Sequence, residues 1–394
     1  MTGLAMASLS AGIWVYLALA RGGFWRGLEN DRAMHEALEG TPLRTWPHVV
    51  AVIPARNEAV LVGSTVGSLL AQDYPGTLSV IVVDDHSDDG TAEVALDAAT
   101  RLDAASRLTV VRAPPLPAGW TGKLWALSNG IAAAERLSDR PAYFLLTDAD
   151  IRYTSRTVAA LVSSSVADRL VMSSLMVDLR CESRAERLLI PAFVFFFQML
   201  YPFSWVNRPG RRTAAAAGGC VLVRRDALQA AGGVASIRDA LIDDCALAGR
   251  MKEQGPIRLA LGEHVRSLRP YPALGDIRRM VVRSAFAQLR FSWWRLALVV
   301  CAMLLVFVAP VVLAIVGHGW GRLLGFATWA LMASLFVPIQ RRYGVPAWWS
   351  IALPAIASAY LAFTVESAYQ HGRGRGGLWK GRVNGPGASV DSAL

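Results

Sequence analysis

Three acidic motifs stand in a fixed order along this chain: Val83-Asp84-Asp85-His86-Ser87-Asp88-Asp89-Gly90-Thr91, then Leu146-Thr147-Asp148-Ala149-Asp150, then Leu241-Ile242-Asp243-Asp244. The first two each close an apolar run, so their carboxylates are expected where a buried strand meets a loop. In open α/β sheets that edge is where ligands bind. Carboxylates gathered there repel one another unless they share a cation or a proton. A divalent metal holding a phosphorylated substrate is the economical expectation. Asp148-x-Asp150 is the best candidate to hold it, because neighbouring oxygen ligands suit a hard cation, Mg2+ or Mn2+, shared with diphosphate oxygens.

The other motifs each have a plain and a functional reading. Asp88, Asp89 and Thr91 are turn and cap residues. Asp84 and Asp85 exceed what one cap needs, and a carboxylate there can accept a hydrogen bond from a base N–H such as the imide of uracil. Pro54-Ala55-Arg56-Asn57-Glu58 either caps a helix or frames a nucleotide base. Trp120-Thr121-Gly122-Lys123 precedes a helix, so Lys123 is placed to reach a phosphate near that helix N-terminus. It is not a phosphate loop of the Walker type, since Pro117 and Leu124 stand where Gly and Ser/Thr are needed. Gly218-Gly219-Cys220-Val221-Leu222-Val223-Arg224-Arg225 is a turn, a strand and two basic residues. It makes either a glycine bulge with solvated arginines or a close backbone approach to an acceptor. Asp243-Asp244 opens a helix, as a cap would and as a general base facing a cleft would. Successive helical residues point about 100° apart, so only one of the two is expected to face the cleft. No G-x-G-x-x-G follows the first strand, and neither H-E-x-x-H nor G-x-S-x-G occurs, which sets aside dinucleotide, zinc-protease and serine-hydrolase chemistry.

Positioning these residues requires a sheet. Strands are expected at His48–Pro54, Leu78–Val83, Leu108–Arg112, Ala142–Leu146 and Leu170–Val177. Helices are expected at Glu58–Gln72, Thr91–Leu102, Leu124–Arg136 and Arg156–Ala167. Apolar strands alternating with amphipathic helices make an α/β, doubly wound, mostly parallel sheet.

Composition shows that the sheet is not everything. Over 394 residues, 54% are hydrophobic and only 18% charged, with a mean hydropathy of +0.36. Gly3–Ala20, Leu296–Val316, Leu323–Ile339 and Val345–Val365 are uncharged and near the ~20 residues that span a bilayer. The first lacks a basic start and a cleavage motif, so it reads as a retained anchor and not as a signal peptide. Leu188–Val206 is also uncharged and aromatic. A single crossing there would part Asp243-Asp244 from Asp148 and Asp150, so it is expected to lie at the headgroup level. The net charge of +10 gathers beside the apolar segments, at Arg278-Arg279, Arg290, Arg295, Arg341-Arg342 and Arg373–Arg382. That suits anionic lipid and not nucleic acid. Four scattered cysteines without a C-x-x-C pair fit a reducing compartment.

The ordered motifs resemble family 2 glycosyltransferases of the GT-A fold over roughly Val49–Trp294. The overall layout is similar to the hopene-associated glycosyltransferases of bacterial hopanoid clusters. The resemblance implies a nucleotide-diphospho-sugar donor, inversion at the anomeric carbon and a divalent metal. By it, Pro54, Glu58, Asp84 or Asp85, and Lys123 contact the nucleotide. Asp148 lies near the ribose or sugar, Asp150 binds metal with Asp148 beside it, and Asp244 is the catalytic base. Gly218, Gly219, Arg224, Gln288 and Arg290 fall on the acceptor side. His86 stands where the family usually has Gly. Gln288-Leu289-Arg290-Phe291 is shorter than the Q-x-x-R-W of processive synthases, which favours single-sugar transfer to a lipid acceptor over a short polysaccharide synthase. An inactive, sugar-binding partner subunit is disfavoured by the presence of Asp150 and Asp244. The expected layout is an anchor at 1–22, a linker at 23–46, the GT-A domain at 47–294 with 188–206 interfacial, one N-terminal and about three C-terminal transmembrane helices (the latter within 295–366), and a basic tail at 367–394. The catalytic domain is expected on the cytoplasmic face of a bacterial inner membrane.

Overall fold

The computed structural model describes residues 2–40, 43–374, 378–379 and 382–383. The chain divides into two compact units, one of Met1–Leu28, Cys181–Ser204 and Pro270–Gly377, the other of Glu29–Arg180, Trp205–Arg269 and Leu378–Leu394.

The second unit carries an eight-stranded sheet: β1 (Val49–Ala55), β2 (Leu78–Asp84), β3 (Leu108–Arg112), β4 (Tyr143–Thr147), β5 (Ile151–Tyr153), β6 (Met172–Asp178), β7 (Cys220–Arg224) and β8 (Ile257–Ser267). Their order is β3-β2-β1-β4-β7-β6-β8-β5. Every residue of β1 and β4 is buried, as expected of strands covered on both faces. The sheet is mixed, with β2, β1, β3 and β4 running in parallel and β7 reversed between β4 and β6. The parallel half aligns the strand ends: Ala55 sits beside Asp84, and Leu146 beside Val52, three residues short of Ala55. Because β7 is antiparallel to β4, with Cys220 opposite Thr147, Gly218 and Gly219 enter the sheet at that same edge.

Helix Gly122–Ala134 carries Lys123 and lies against β1 and β2. Gly130 makes that approach possible: a Cβ there would stand 2.4 Å from Val52 Cγ1 and 2.8 Å from Val83 Cγ2. Gly130→Val should therefore cost about 1–3 kcal/mol by overpacking, read as a lowered thermal unfolding midpoint. An unchanged midpoint would show that the helix has room to move.

The first unit is helical. Arg184–Val206, Trp293–Val316, Gly319–Arg342 and Ala347–Gly372 are long and apolar enough to cross a membrane by length and composition. This set differs from the sequence expectation in two ways. The N-terminal helix Thr2–Leu19 has 18 residues, about 27 Å of helix, shorter than the other four but within the roughly 17–25 residues that span a bilayer. Arg184–Val206 joins the set, but 56% of it is buried, against 28% for Trp293–Val316. Its aromatic side chains are engaged within the unit: Phe195 contacts Phe24 and Phe336, and Phe196 contacts Phe307 and Tyr360. The N-terminal helix is tied in by chemistry that a proline creates. Pro310 has no N–H to give the carbonyl four residues back, and that carbonyl, on Val306, accepts the indole N–H of Trp14 at 2.8 Å. Of the expected basic tail, residues 375–377, 380–381 and 384–394 lie outside the described residues.

Candidate active site

Lys123 is the centre of the site. Its helix starts at Thr121, whose hydroxyl accepts the Leu124 N–H, and this cap aims the first turn past the end of β4. There the Lys123 ammonium meets Asp148 Oδ1 at 3.0 Å and Asp243 Oδ2 at 3.2 Å. Burial alone would lower its pKa, but Asp148, Asp243 and Asp244 together raise it, so it stays charged. Asp148 is pushed above the ordinary carboxylate range by burial, opposed by Lys123 and reinforced by Asp150.

Asp244 is held from two sides. Its Oδ2 accepts the Gly218 N–H at 2.9 Å and its Oδ1 accepts the Cys245 N–H at 2.7 Å. A Cβ on Gly218 would stand 3.2 Å from Lys123 Nζ and 3.5 Å from Asp244 Oδ2, so the bare glycine lets its amide approach. Burial first, and the neighbouring Asp243 second, push the Asp244 pKa up to about 6. Asp243 and Asp244 both line the pocket with Lys123, Asp148 and Gly218. The expectation that only one of the pair faces the cleft is corrected here. They occupy the first turn of helix Asp243–Lys252 with no cap to make, and Lys123 lies close enough to draw on both.

Asp150 is served by a residue that sequence reasoning missed. Arg269, just past the end of β8, donates to Asp150 Oδ2 at 2.7 Å and to Glu58 Oε1 at 2.6 Å. Arg269 thereby clamps the loop after β1 to the loop after β4. Glu58 sits at the N-cap position of helix Ala59–Leu70 but does not cap it with its side chain. A second missed residue is Arg56, which donates to the Asp85 carbonyl at 2.6 Å and lies 3.7 Å from its fully buried carboxylate.

The loops after β1 and β2 are stitched together: Asn57 N–H to Ser87 Oγ, Asp88 N–H to Asn57 Oδ1, and Glu58 N–H to Thr91 Oγ1. Asp89 accepts from Ala59, Thr91 N and Thr91 Oγ1, the turn work expected of it. Asp84 Oδ1 accepts the Ser87 N–H, and Pro54 is buried inside β1. His86 adopts a left-handed φ of 57°, the conformation that glycine takes most easily. The departure at this position therefore leaves the backbone path that a glycine would take.

The acceptor-side residues scatter. Gly218 and Gly219 are at the site, the latter accepting the Thr147 hydroxyl at 2.8 Å through its carbonyl. Arg224 pairs in register with Tyr143 at the far end of β4, roughly 14 Å of strand away from Cys220. There it binds Asp226, so the structure removes Arg224 from the acceptor side. Gln288 and Arg290 belong to the helical unit, where Gln288 donates to the Tyr201 hydroxyl and Arg290 has a φ of 50°.

Five carboxylates (Glu58, Asp148, Asp150, Asp243 and Asp244) thus meet two cations, Lys123 and Arg269. Lys123 meets Asp148 through Oδ1 and Arg269 meets Asp150 through Oδ2, so two cations face five carboxylates. Uncompensated negative charge on hard oxygen donors fits a divalent cation of the Mg2+ or Mn2+ kind.

A mixed α/β sheet with acidic loops at the ends of β1, β2 and β4 is a GT-A-like fold. It is shared with the mannosyltransferase PcManGT from Pyrobaculum calidifontis, solved in complex with GDP-Man and Mn2+, at 19% identity and a TM-score of 0.53, covering 93% of this chain and 98% of that one. Residues 47–286, more than half of the chain, match the family described as glycosyltransferase like family 2, and the chain belongs to that family. A probable glycosyltransferase of Bacillus subtilis, YdaM, is 33% identical over 125 residues; the match spans 30% of this chain and only 28% of that protein. Glucosyl-3-phosphoglycerate synthase of M. tuberculosis is 22% identical with a TM-score of 0.38, over 66% of this chain and 85% of that one.

Proposed function

We propose that this chain is a membrane-bound, inverting glycosyltransferase. It moves a sugar from a nucleoside-diphosphate sugar, with uracil the favoured base, to the hydroxyl or phosphate of a lipid. A hopanoid alcohol is the narrowest version of that acceptor. The catalytic part is 47–294, facing the cytoplasm of a bacterial cell, with 1–22 and the helices within 295–366 as its membrane portion. Family membership and the apolar helices support this reading. The single observation that carries it is Asp244, a carboxylate buried beside Lys123 and Asp148, held by the Gly218 amide, with its pKa raised to about 6.

In the reaction, Asp244 takes the proton of the acceptor hydroxyl as that oxygen attacks the anomeric carbon. The bond from the sugar to the diphosphate breaks on the opposite face, and its electron pair leaves on phosphate oxygen. Lys123 turns from its carboxylates toward that developing charge. Asp148 and Asp150 would hold Mg2+ or Mn2+, which supplies charge neutralisation at the diphosphate. Arg269 keeps Asp150 and Glu58 in place while this happens. Asp84 or Asp85 accepts the base imide, and Asp84 Oδ2 is the oxygen its own turn leaves open.

The test is transfer from radiolabelled UDP-sugars into the lipid extract of membranes carrying the protein. Chelation with EDTA should abolish transfer, and Mn2+ or Mg2+ should restore it. Asp150→Ala should lose transfer at every metal concentration while keeping its fold. Undiminished transfer by that variant in chelated buffer would refute the metal assignment.

A further inference from the structure

A second cluster of ligand-type side chains lies in the α/β unit away from the acidic loops. Asp31 stands at the start of helix Arg32–Gly40, and His35 is one turn along the same face. The chain before this helix runs beside β8: Asp31 N–H donates to the Leu261 carbonyl, and Leu261 N–H to the Glu29 carbonyl. That pairing brings Asp31 and His35 to His264 on β8. One ring nitrogen from each histidine and one carboxylate oxygen of Asp31 lie within 4.8 Å of one another. We propose that Asp31, His35 and His264 form a structural site for a divalent transition ion of the Zn2+ class, which fastens helix Arg32–Gly40 to β8.

Four observations carry this. First, His35 Nε2 and His264 Nδ1 are buried atoms without a hydrogen bond, and buried polar atoms of that kind call for a partner. His264 Nδ1 does lie 3.1 Å from Asp31 Oδ2, as two ligands of one ion do. Second, Asp31 is 1% exposed and its carboxylate is already oriented, accepting the Glu263 and His264 amides at 3.0 and 3.2 Å. Such second contacts are what fix a ligand for a metal. Third, the imidazoles stack at 3.6 Å between centroids with 23° between planes, which holds the two rings side by side. Burial, and then the nearby His264, hold the His35 pKa below its ordinary value, which favours the neutral form that ligates metal. Fourth, the donor set is two imidazoles and one carboxylate. That set suits Zn2+ and its neighbours better than Mg2+, the reverse of the all-oxygen site at Asp148 and Asp150. Ligation parts the stacked rings, a rotation open to His35 on its partly exposed helix face.

Placing the ion here has a structural meaning. Helix Arg32–Gly40 is the first helix of the α/β unit, and Leu28 ends the first segment of the other unit. A metal at Asp31 therefore anchors the first passage of the chain into the α/β unit to the central sheet.

The experiment uses the full chain in detergent with Asp150→Asn as the background, so that binding at the acidic loops is weakened. Protein stripped with EDTA is given micromolar free Zn2+, and bound zinc and the thermal unfolding midpoint are measured. One zinc per chain and a raised midpoint are expected. His35→Gln and His264→Gln should each weaken binding by at least about 100-fold, the upper end of what losing an outer contact costs, and erase the rise. If His264→Gln folds poorly, the more exposed His35→Gln decides. No zinc uptake by the stripped protein, or equal uptake by His35→Gln, would overturn the site. Neither result depends on the glycosyltransferase reading.

Discussion

Asp244→Asn should lower kcat by roughly 10²–10⁴-fold, the usual worth of a general base, while leaving donor binding and the fold intact. The asparagine oxygen can still accept the Gly218 amide that Asp244 Oδ2 accepts at 2.9 Å, whereas the bond from the Cys245 N–H at 2.7 Å is lost to the side-chain NH2. The change also removes a like charge beside Asp243, one of the groups that raise the Asp244 pKa. The relieved repulsion offsets the lost Cys245 bond, so the thermal midpoint should change little, which separates lost chemistry from lost structure. The wild-type pH profile follows from the same group. With its pKa raised to about 6, Asp244 is a base above that pH and a neutral acid below it. Transfer efficiency should fall about tenfold per pH unit below 6, as expected when one essential carboxylate takes up a proton. The stability sign is opposite. A carboxyl whose pKa is raised by folding favours the folded state less as pH climbs from the ordinary value through 6. An Asp244→Asn enzyme with near wild-type kcat, or one that no longer binds nucleotide, would remove Asp244 from the role of base.

Asp243 separates two readings of the helix start. A capping residue would become asparagine at little cost, since Asn and Asp cap a helix about equally well, and would leave transfer alone. In the structure its carboxylate makes no cap and lies 3.2 Å from Lys123. Asp243→Asn should therefore loosen the hold on Lys123 and change donor KM more than kcat. An unchanged donor KM would return it to the plain role.

The strands that carry the acidic residues were legible because they are unbroken apolar runs cut off by an aspartate. β1, β2 and β4 end within one residue of the expected place, and β3 matches at both ends. The lysine helix was read from Leu124, and the structure starts it at Gly122 behind the Thr121 cap, so that Lys123 lies in its first turn. Two kinds of feature were not. The reversal of β7 between β4 and β6 depends on long-range pairing, and it alone decides that Gly218 lies at the site while Arg224 lies at the other end of the strand. The cations that stabilise the acidic loops were invisible for the same reason. Arg269 stands 119 residues from Asp150 and 211 from Glu58, a separation with no periodicity to read. The sequence expectation assigned all the charge compensation to a metal, whereas side chains supply part of it. Asp31 and His35 fall in the stretch 23–46 read as a linker, where the structure has helix Arg32–Gly40, and His264 joins them only through the pairing with β8.

Lys123→Met should be the most destabilising single change at the site. It keeps the length and apolar stem of the side chain and removes only the ammonium, so Asp148, Asp243 and Asp244 lose the cation they share. Removing one partner of a buried ion pair costs about 3–5 kcal/mol, because the other charges stay buried. Asp148 is 38% exposed at its side chain, so water screens part of that loss, and a value near 3 kcal/mol is expected. The pH sign distinguishes this cause from lost packing. Lys123 is charged throughout the working range, since its pKa is raised, and the wild-type interaction does not fade toward acid on its account. In the variant Asp148 and Asp244, whose pKa values are already raised, lose the cation that opposes that rise, so the destabilisation should shrink as pH falls from about 7.5 to 5, where their protonation relieves the repulsion. Thermal unfolding of both proteins at the two pH values decides it. A deficit that is the same at both would assign Lys123 to packing, and no deficit at either would show that the acidic cluster needs no cation of its own. Transfer should be lost at every pH, because the charge that meets the leaving diphosphate is gone.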